Sequence, residues 1–198
     1  MGHSMTNQKK NQVASAAPQK DMTETLGIPE KITVSYQSQI FTVKGSKGEV
    51  KKKILLPNIA CKVEDGSVIF NAVRATRREK KIIFTAKAHL KNLFNGVTQG
   101  HVYKLKICSG HFPMNVSVKN NLIEVKNFFG EGVSRKIQLS PNVTIKINAP
   151  EIVVEGIDLD TTAQAAANIE QLTRRPRFDL NRFQDGIYII EKDGKPFM

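Results

Sequence analysis

The sequence predicts an α+β fold with two tandem homologous domains, each an antiparallel sheet covered by one helix. Three observations predict this fold: an internal repeat, alternation of polar and apolar residues with the period of a strand, and a helical period at the end of each repeat. A chain of 198 residues can form either one mid-sized domain or two small ones. The internal repeat favours two small domains.

The repeat consists of four blocks that occur in the same order in both halves of the chain. The longest block matches residues 57–63 (PNIACKV) with residues 141–147 (PNVTIKI). The other matched pairs are residues 68–69 with 152–153, 28–34 with 112–118, and 43–49 with 125–131. Conserved order over four blocks indicates duplication of one ancestral unit.

Apolar residues alternate with polar ones inside the matched blocks, as in Ile59, Cys61 and Val63, which indicates half-buried strands. Turn-forming residues separate these strands at Glu64-Asp65-Gly66 and at residues 44–48 (KGSKG). Because such short turns cannot make a parallel crossover, the strands are expected to pair in antiparallel fashion.

Each repeat ends in a stretch with helical periodicity. In the first repeat, an apolar face is predicted between Glu79 and Asn95, and Gly96 is the expected C-terminal stop. In the second, small and apolar residues recur from Ala163 to Ile169, behind residues 160–162 (DTT), which offer a capping residue.

These patterns divide the chain into four parts. Residues 1–27 are predicted to be a flexible leader because they are polar and aperiodic, and Met5 offers a second start site within it. The first repeat is assigned to residues 28–100 and the second to residues 101–173. Residues 174–198 are assigned to a basic tail outside both repeats.

The basic tail is expected to be poorly ordered in the free protein from Arg174 to Tyr188. Its arginines repel one another and Pro176 interrupts the helix, so contact with RNA is expected to supply the missing order. The alternative is that its aromatic residues dock on the second sheet at all times.

The charge of the chain points to a polyanionic partner. Its 30 Lys and Arg against 18 Asp and Glu leave a formal charge of +12, which suits nucleic acid. No apolar run approaches the roughly 18 residues of a membrane span. The cationic clusters fall at turns and element ends, and they comprise residues 51–53, Arg74, residues 77–81, residues 135–136 and residues 174–182. Side chains at such places can reach the phosphates of folded RNA without disturbing a core.

The sequence offers no clear set of catalytic residues. It has no evident pairing of nucleophile with base, and the glycines of residues 45–48 lack the spacing of a phosphate-binding loop. Cys61 and Cys108 are the only cysteines, and Cys108 with His111 supplies only two of the four ligands of a structural zinc site. No enzyme activity, cofactor or metal is therefore expected.

Four motifs carry a resemblance to a known family: residues 95–100 (NGVTQG), 111–114 (HFPM), 127–131 (NFFGE) and 183–188 (FQDGIY). With them the chain resembles the universal large-subunit ribosomal protein six family, and archaeal members most, over nearly everything from Ile28 onward. It departs from the family at Phe129, where Leu is common, and at Gly132, where Lys is frequent.

The resemblance implies a structural constituent of the large ribosomal subunit whose second domain faces ribosomal RNA near the sarcin-ricin region and the stalk base. The residues it implies as RNA-facing are Asn127, Phe128, Gly130, Glu131, Arg135, Lys136, Gln164, Asn168, Gln171, Arg174, Arg175, Arg177 and Arg182. It also implies neighbouring stalk-base proteins as partners and a cytoplasmic, ribosome-associated location. Neither a membrane nor a homo-oligomer is expected.

Two other functions are compatible with the charge of the chain. A free RNA-binding regulator or chaperone would share the basic clusters, but it would not stay with large subunits after a high-salt wash. A nuclease or RNA-modifying enzyme would need an acid cluster or a metal site and ranks last.

Overall fold

The structure, a computed structural model, describes residues 20–64, 66–110, 112–179 and 181–196, and these form fourteen strands and two α-helices. The first half comprises β1 (Lys20–Gly27), β2 (Thr33–Gln37), β3 (Ile40–Gly45), β4 (Gly48–Lys53), β5 (Ala60–Glu64), β6 (Ser67–Ala75) and α1 (Arg77–Thr98). The second half comprises β7 (His101–Cys108), β8 (Asn115–Lys119), β9 (Leu122–Lys126), β10 (Arg135–Gln138), β11 (Val143–Asn148), β12 (Glu151–Gly156) and α2 (Leu159–Leu172). The strands β13 (Gly186–Lys192) and β14 (Lys195–Pro196) follow, and a 3-10 turn at Phe128–Gly130 precedes β10.

The two halves share one strand order. The first half forms two antiparallel sheets with the orders β1-β6-β5 and β2-β3-β4. The second repeats them as β7-β12-β11 and β8-β9-β10, and β13 with β14 extends the sheet beyond β7. The predicted α+β class with tandem repeats is confirmed. One detail differs, because hydrogen bonding divides the strands of each half into two sheets.

Each half surrounds its own hydrophobic core, and the alternation in the sequence explains why. In β6 the residues Val68, Phe70 and Ala72 point to one face and are fully buried. The apolar face of α1 covers them with residues that include Ile83 and Leu90. The second half has an equivalent core between α2 and its strands.

The prediction of a flexible leader is wrong for residues 20–27, which form β1 and pair with β6. Residues 1–19 lie outside the described part. β1 is the first-half counterpart of β7, so the first repeat begins before residue 28. The strand was missed because Glu24 stands between Met22 and Leu26 on its inward face and hides the apolar alternation. The Glu24 carboxylate is accommodated there by Lys87 of α1, 2.9 Å away.

The tail, which was assigned outside both repeats, joins the second sheet from Gly186 onward as a strand with no counterpart in the first half. β13 pairs with β7 along its length, and Ile187 is fully buried in the second core. Its backbone N–H donates to the Thr173 hydroxyl at the end of α2 at 2.9 Å. The structure therefore shows residues 186–192 docked on the second sheet. Disorder in the absence of RNA remains a prediction only for residues 174–185.

The C-terminal end of α1 and the N-terminal end of α2 each differ from their predicted positions by a few residues. α1 continues through Gly96, which is buried, and the glycine with left-handed backbone is Gly100, with φ +76°. α2 is capped by Asp158, whose carboxylate accepts from the Thr161 N–H at 3.1 Å, rather than by residues 160–162. Element ends are set by such single hydrogen bonds, which apolar periodicity does not report.

The two halves contact each other where α1 ends. Gly96 lies so close to Ile157, between β12 and α2, that an added Cβ would overlap the Ile157 carbonyl oxygen. The Lys52 ammonium on β4 forms an ion pair with Asp160 at the start of α2. The end of α1 is also joined to the β3–β4 hairpin, because Lys47 N–H donates to Val97 O at 3.0 Å. A glycine in the last turn of α1 therefore permits close packing of the halves.

Candidate nucleic-acid interface

The polar face of α2 lies at the surface of the second half. Its opposite face packs into the core, where Ala166 and Ile169 are fully buried. Because residues three and four apart share one helix face, Gln164, Asn168 and Gln171 form a polar row along the outside. Gln164 Nε2 donates to Asn168 Oδ1 at 2.8 Å, so the first two amides are aligned with each other.

This polar row borders a groove between α2 and the end of β10. The groove has a volume of about 340 Å³. Its lining is mostly polar and consists of Gln138, Leu139, Ser140, Asp160, Thr161, Gln164, Ala165 and Asn168. Amides and hydroxyls of this kind can both donate to phosphate or ribose oxygens and accept from ribose hydroxyls.

Arg135 connects the turn of residues 127–131 to the end of α2. Its Nε and Nη2 donate to the two carboxylate oxygens of Glu131 at 2.9 and 2.8 Å, and its Nη1 donates to Leu172 O at 2.9 Å. The guanidinium also lies over the Phe128 ring, 4.4 Å from its centroid. Only 25% of the side chain is exposed. Arg135 therefore positions the turn and the helix, and its donors face protein acceptors.

Within the turn, the predicted RNA-facing residues occupy different environments. The Phe128 side chain is 1% exposed and belongs to the core, which corrects its expected role as an RNA-facing residue. Asn127 adopts a left-handed backbone with φ 59° and donates to Pro113 O at 3.1 Å. Gly130, also left-handed at φ +76°, is exposed, and Glu131 is held by Arg135. Gly130 is thus the most accessible of the four.

Lys136 and three tail arginines differ from Arg135 in that they face solvent. The Lys136 ammonium is 3.2 Å from Glu124, whose pKa is held below its usual value by hydrogen bonds from Ser134 and Lys136. Arg174, Arg177 and Arg182 are exposed. Within the described part of the chain, their guanidinium groups have no hydrogen-bond or ion-pair partner. These three cations are available to an external anion.

Arg175 takes a third position, inside a cluster of aromatic rings. Its guanidinium lies 3.9 Å from the Phe178 ring centroid and 4.9 Å from that of Phe129. Sequence reasoning treated Phe178 and Phe183 only as apolar anchors of the tail. Their spacing among arginines was the signal that could have marked them as surface residues of a binding site.

Neither a metal site nor a membrane span is found in the described part of the chain. There, no group of three or more His, Cys, Asp or Glu side chains is arranged to hold a metal ion. His111, one residue of the C-x-x-H spacing, lies outside it. The helices of that part are too short or too polar to cross a membrane.

The ion pair between Glu131 and Arg135 predicts a specific pH dependence. Hydrogen bonding from Arg135 lowers the pKa of Glu131 below the usual glutamate range, against the opposing effect of burial. A carboxylate with a depressed folded-state pKa stabilises the fold above its unfolded pKa of about 4.3, and this contribution is lost as the pH falls through the folded value. Glu131→Gln is therefore expected to lower stability at pH 7 and to flatten its decline in acid.

Urea unfolding at intervals from pH 7 to pH 3 measures this difference. Glu64→Gln is the matched control, because Glu64 is exposed and forms no ion pair with the described residues. Parallel acid profiles for wild type and Glu131→Gln would contradict the assignment of a stabilising role to this carboxylate.

Comparison with known proteins agrees with this architecture. The family model described as ribosomal protein L6 matches the chain twice, at residues 28–100 and 112–186. The chain is 40% identical to the large ribosomal subunit protein uL6 of Methanosarcina mazei over 173 residues, which is 87% of this chain and 98% of that protein. It is 34% identical to the large ribosomal subunit protein uL6 of Methanothrix thermoacetophila with the same coverage.

One matched segment lies in each structural half, and the resemblance drawn from the four motifs is confirmed. The relatives are archaeal, as the motifs indicated. The family is structural and non-enzymatic, and membership implies association with the ribosome. The chain therefore belongs to the ribosomal protein L6 family of the large ribosomal subunit.

Proposed function

We propose that this chain binds large-subunit ribosomal RNA through the surface formed by the polar face of α2, Lys136 and the exposed tail arginines. The observation that carries the proposal is the set of three tail arginines, Arg174, Arg177 and Arg182, which follow α2 in the chain, are exposed and engage no acceptor in the described part of the chain. Exposed cations without protein partners suit the phosphates of a folded RNA.

The distribution of ion pairs supports this surface. Several lysines of the chain are close to carboxylates, for example Lys44 to Glu49 at 3.1 Å and Lys146 to Glu155 at 3.1 Å. Arg174, Arg177 and Arg182 differ in that no carboxylate of the described residues forms an ion pair with them, although Asp179 and Asp185 are near in sequence. Because the chain has a formal charge of +12, binding of these cations to a polyanion reduces the repulsion among its positive charges.

The mechanism is positioning rather than turnover. Arg135 joins β10 to α2, and β13 fixes the far end of the tail in the second sheet, so the segment that carries the tail arginines is anchored to the second half at both ends. Contact with phosphates releases counterions and holds RNA helices in one arrangement. We further propose that this RNA lies near the sarcin-ricin region and the stalk base, with stalk-base proteins as neighbours. That placement rests on the family resemblance.

Replacing Arg174, Arg177 and Arg182 together by Gln is expected to weaken binding to a large-subunit RNA fragment that carries the sarcin-ricin stem-loop. Each lost phosphate contact should make the slope of log affinity against log salt shallower by roughly 0.7 to 0.9, so the total change is about 2 to 3. Filter binding or fluorescence anisotropy at several salt concentrations measures the slope.

The matched control replaces three exposed arginines of the first half, Arg74, Arg77 and Arg78, by Gln, which removes the same charge. An equal change of slope in both triple variants would mean that the tail has no special role and would overturn the proposal. Co-sedimentation of the wild type with large subunits after a high-salt wash distinguishes a ribosomal constituent from a free RNA-binding regulator.

A further inference from the structure

An aromatic cluster lies between the end of α2 and the start of β13. The Phe183 ring meets the Phe178 ring edge-on at a centroid distance of 5.2 Å and the Phe129 ring at 6.0 Å. The Arg175 guanidinium lies near the faces of Phe178 and Phe129. Phe178 and Phe183 remain 39% and 42% exposed. Because these exposed rings are already oriented by each other and by an arginine, they can stack on a ligand with little further loss of side-chain conformational entropy.

These rings line a cavity of about 260 Å³. That volume lies just below the roughly 300 to 1,000 Å³ of pockets for drug-sized ligands, so it suits one small planar group. The remaining wall includes the side chains of Glu170, Gln171 and Asp185. The cavity thus combines an aromatic surface with a polar edge, as sites for nucleobases do.

The polar edge is held in place by the backbone. Glu170 Oε1 accepts from Ile189 N–H at 3.2 Å, and Asp185 Oδ1 accepts from Gly110 N–H at 2.6 Å. Each bond uses one carboxylate oxygen, and in the described part of the chain the other oxygen accepts no hydrogen bond. Fixed carboxylate oxygens select a ligand that presents N–H donors, and they repel a phosphate.

We propose that this cavity binds one unpaired nucleobase that carries an exocyclic amino group, stacked on the face of Phe183 and bounded by the nearly perpendicular Phe178 ring and the Arg175 guanidinium. The inference rests on the proposed RNA-binding function and adds a base-reading site to it. Bases of single-stranded RNA stack on aromatic and arginine planes, and amino groups donate to carboxylates. Uracil, which lacks an amino group, is the poorest fit. Arg174 beside the cavity is placed to meet a flanking phosphate.

A pentaribonucleotide with 2-aminopurine at its centre and uridines around it tests the site on the full chain. Stacking quenches the fluorescence of 2-aminopurine, so the wild type should quench it and should bind this probe more tightly than pentauridylate. Phe178→Ala combined with Phe183→Ala should lower the affinity on the order of tenfold and abolish the quenching. Arg175→Lys keeps the charge but removes the planar group, and it should reduce quenching in part.

Phe84→Ala is the matched control, because Phe84 is a similarly exposed phenylalanine on α1. It should leave quenching and affinity unchanged. Quenching that persists in the double variant, or a wild type that binds pentauridylate as tightly as the probe, would overturn the inference. If the wild type still binds the ribosomal RNA fragment with its tail-dependent salt slope, the proposed function stands without the base site.

A photoreactive benzoylphenylalanine at position 183 tests the same site in assembled large subunits. Cross-linking to a nucleotide of the ribosomal RNA supports the inference. Cross-linking to a neighbouring protein instead would overturn it, because the cavity would then hold a protein side chain.

Discussion

Replacing Phe128 by Ala is expected to lower the free energy of unfolding by about 3 to 5 kcal/mol, the range seen when a buried phenylalanine is truncated. The ring is 1% exposed, packs edge-on against Phe129 at a centroid distance of 4.8 Å, and supports the Arg135 guanidinium. Truncation leaves a cavity in the second core and removes the surface on which Arg135 rests. Urea unfolding monitored by circular dichroism measures the effect.

This variant also separates a core role for Phe128 from a direct RNA contact. RNA affinity should fall only in proportion to the fraction of unfolded protein, so that correction for that fraction restores the wild-type value. Phe84→Ala, at an exposed position, should change the unfolding free energy by no more than about 0.5 kcal/mol. If the Phe128→Ala protein were stable but bound RNA weakly, the assignment of Phe128 to the core would be contradicted, and a direct contact of Phe128 with RNA would be indicated.

Replacing Gly96 by Ala is expected to destabilise the chain by about 1 to 3 kcal/mol, although alanine is the better helix former. The added Cβ would overlap the Ile157 carbonyl oxygen and approach His101 Nε2 to 3.1 Å. Backbone atoms cannot rotate away as a side chain can, so either α1 or the segment before α2 must shift. His101, buried between Asp193 and Asn92 O at 3.0 Å from each, would be disturbed as well.

Gly132→Ala is the matched control, because a Cβ there meets nothing within 4 Å. It should be neutral or slightly stabilising, since alanine restricts the unfolded chain. Thermal or urea unfolding of both variants compares the two sites. A Gly96→Ala protein as stable as Gly132→Ala would show that the contact between the halves is loose.

The candidate site was predicted unevenly. The sequence located the basic tail and the polar row of α2, because charge clusters and a 3.6-residue period can be seen directly in one chain. It grouped Phe128, Arg135 and Lys136 with them, although the structure buries the first, engages the second in three hydrogen bonds and exposes only the third. Which side of a turn faces the core depends on φ and ψ at residues such as Asn127, and the residue types do not report it.

By itself the sequence determined the duplication, the α+β class, the strands with clean alternation and the family, because repeats and periodicity are local properties of a chain. Only the tertiary structure decided that residues 20–27 pair with β6 and that residues 186–192 pair with β7. These strands are specified by partners 40 or more residues away in sequence. Contacts with distant residues can stabilise a strand that its own sequence does not predict. In β1, for example, the Lys87 ammonium of α1 forms an ion pair with the inward-facing Glu24.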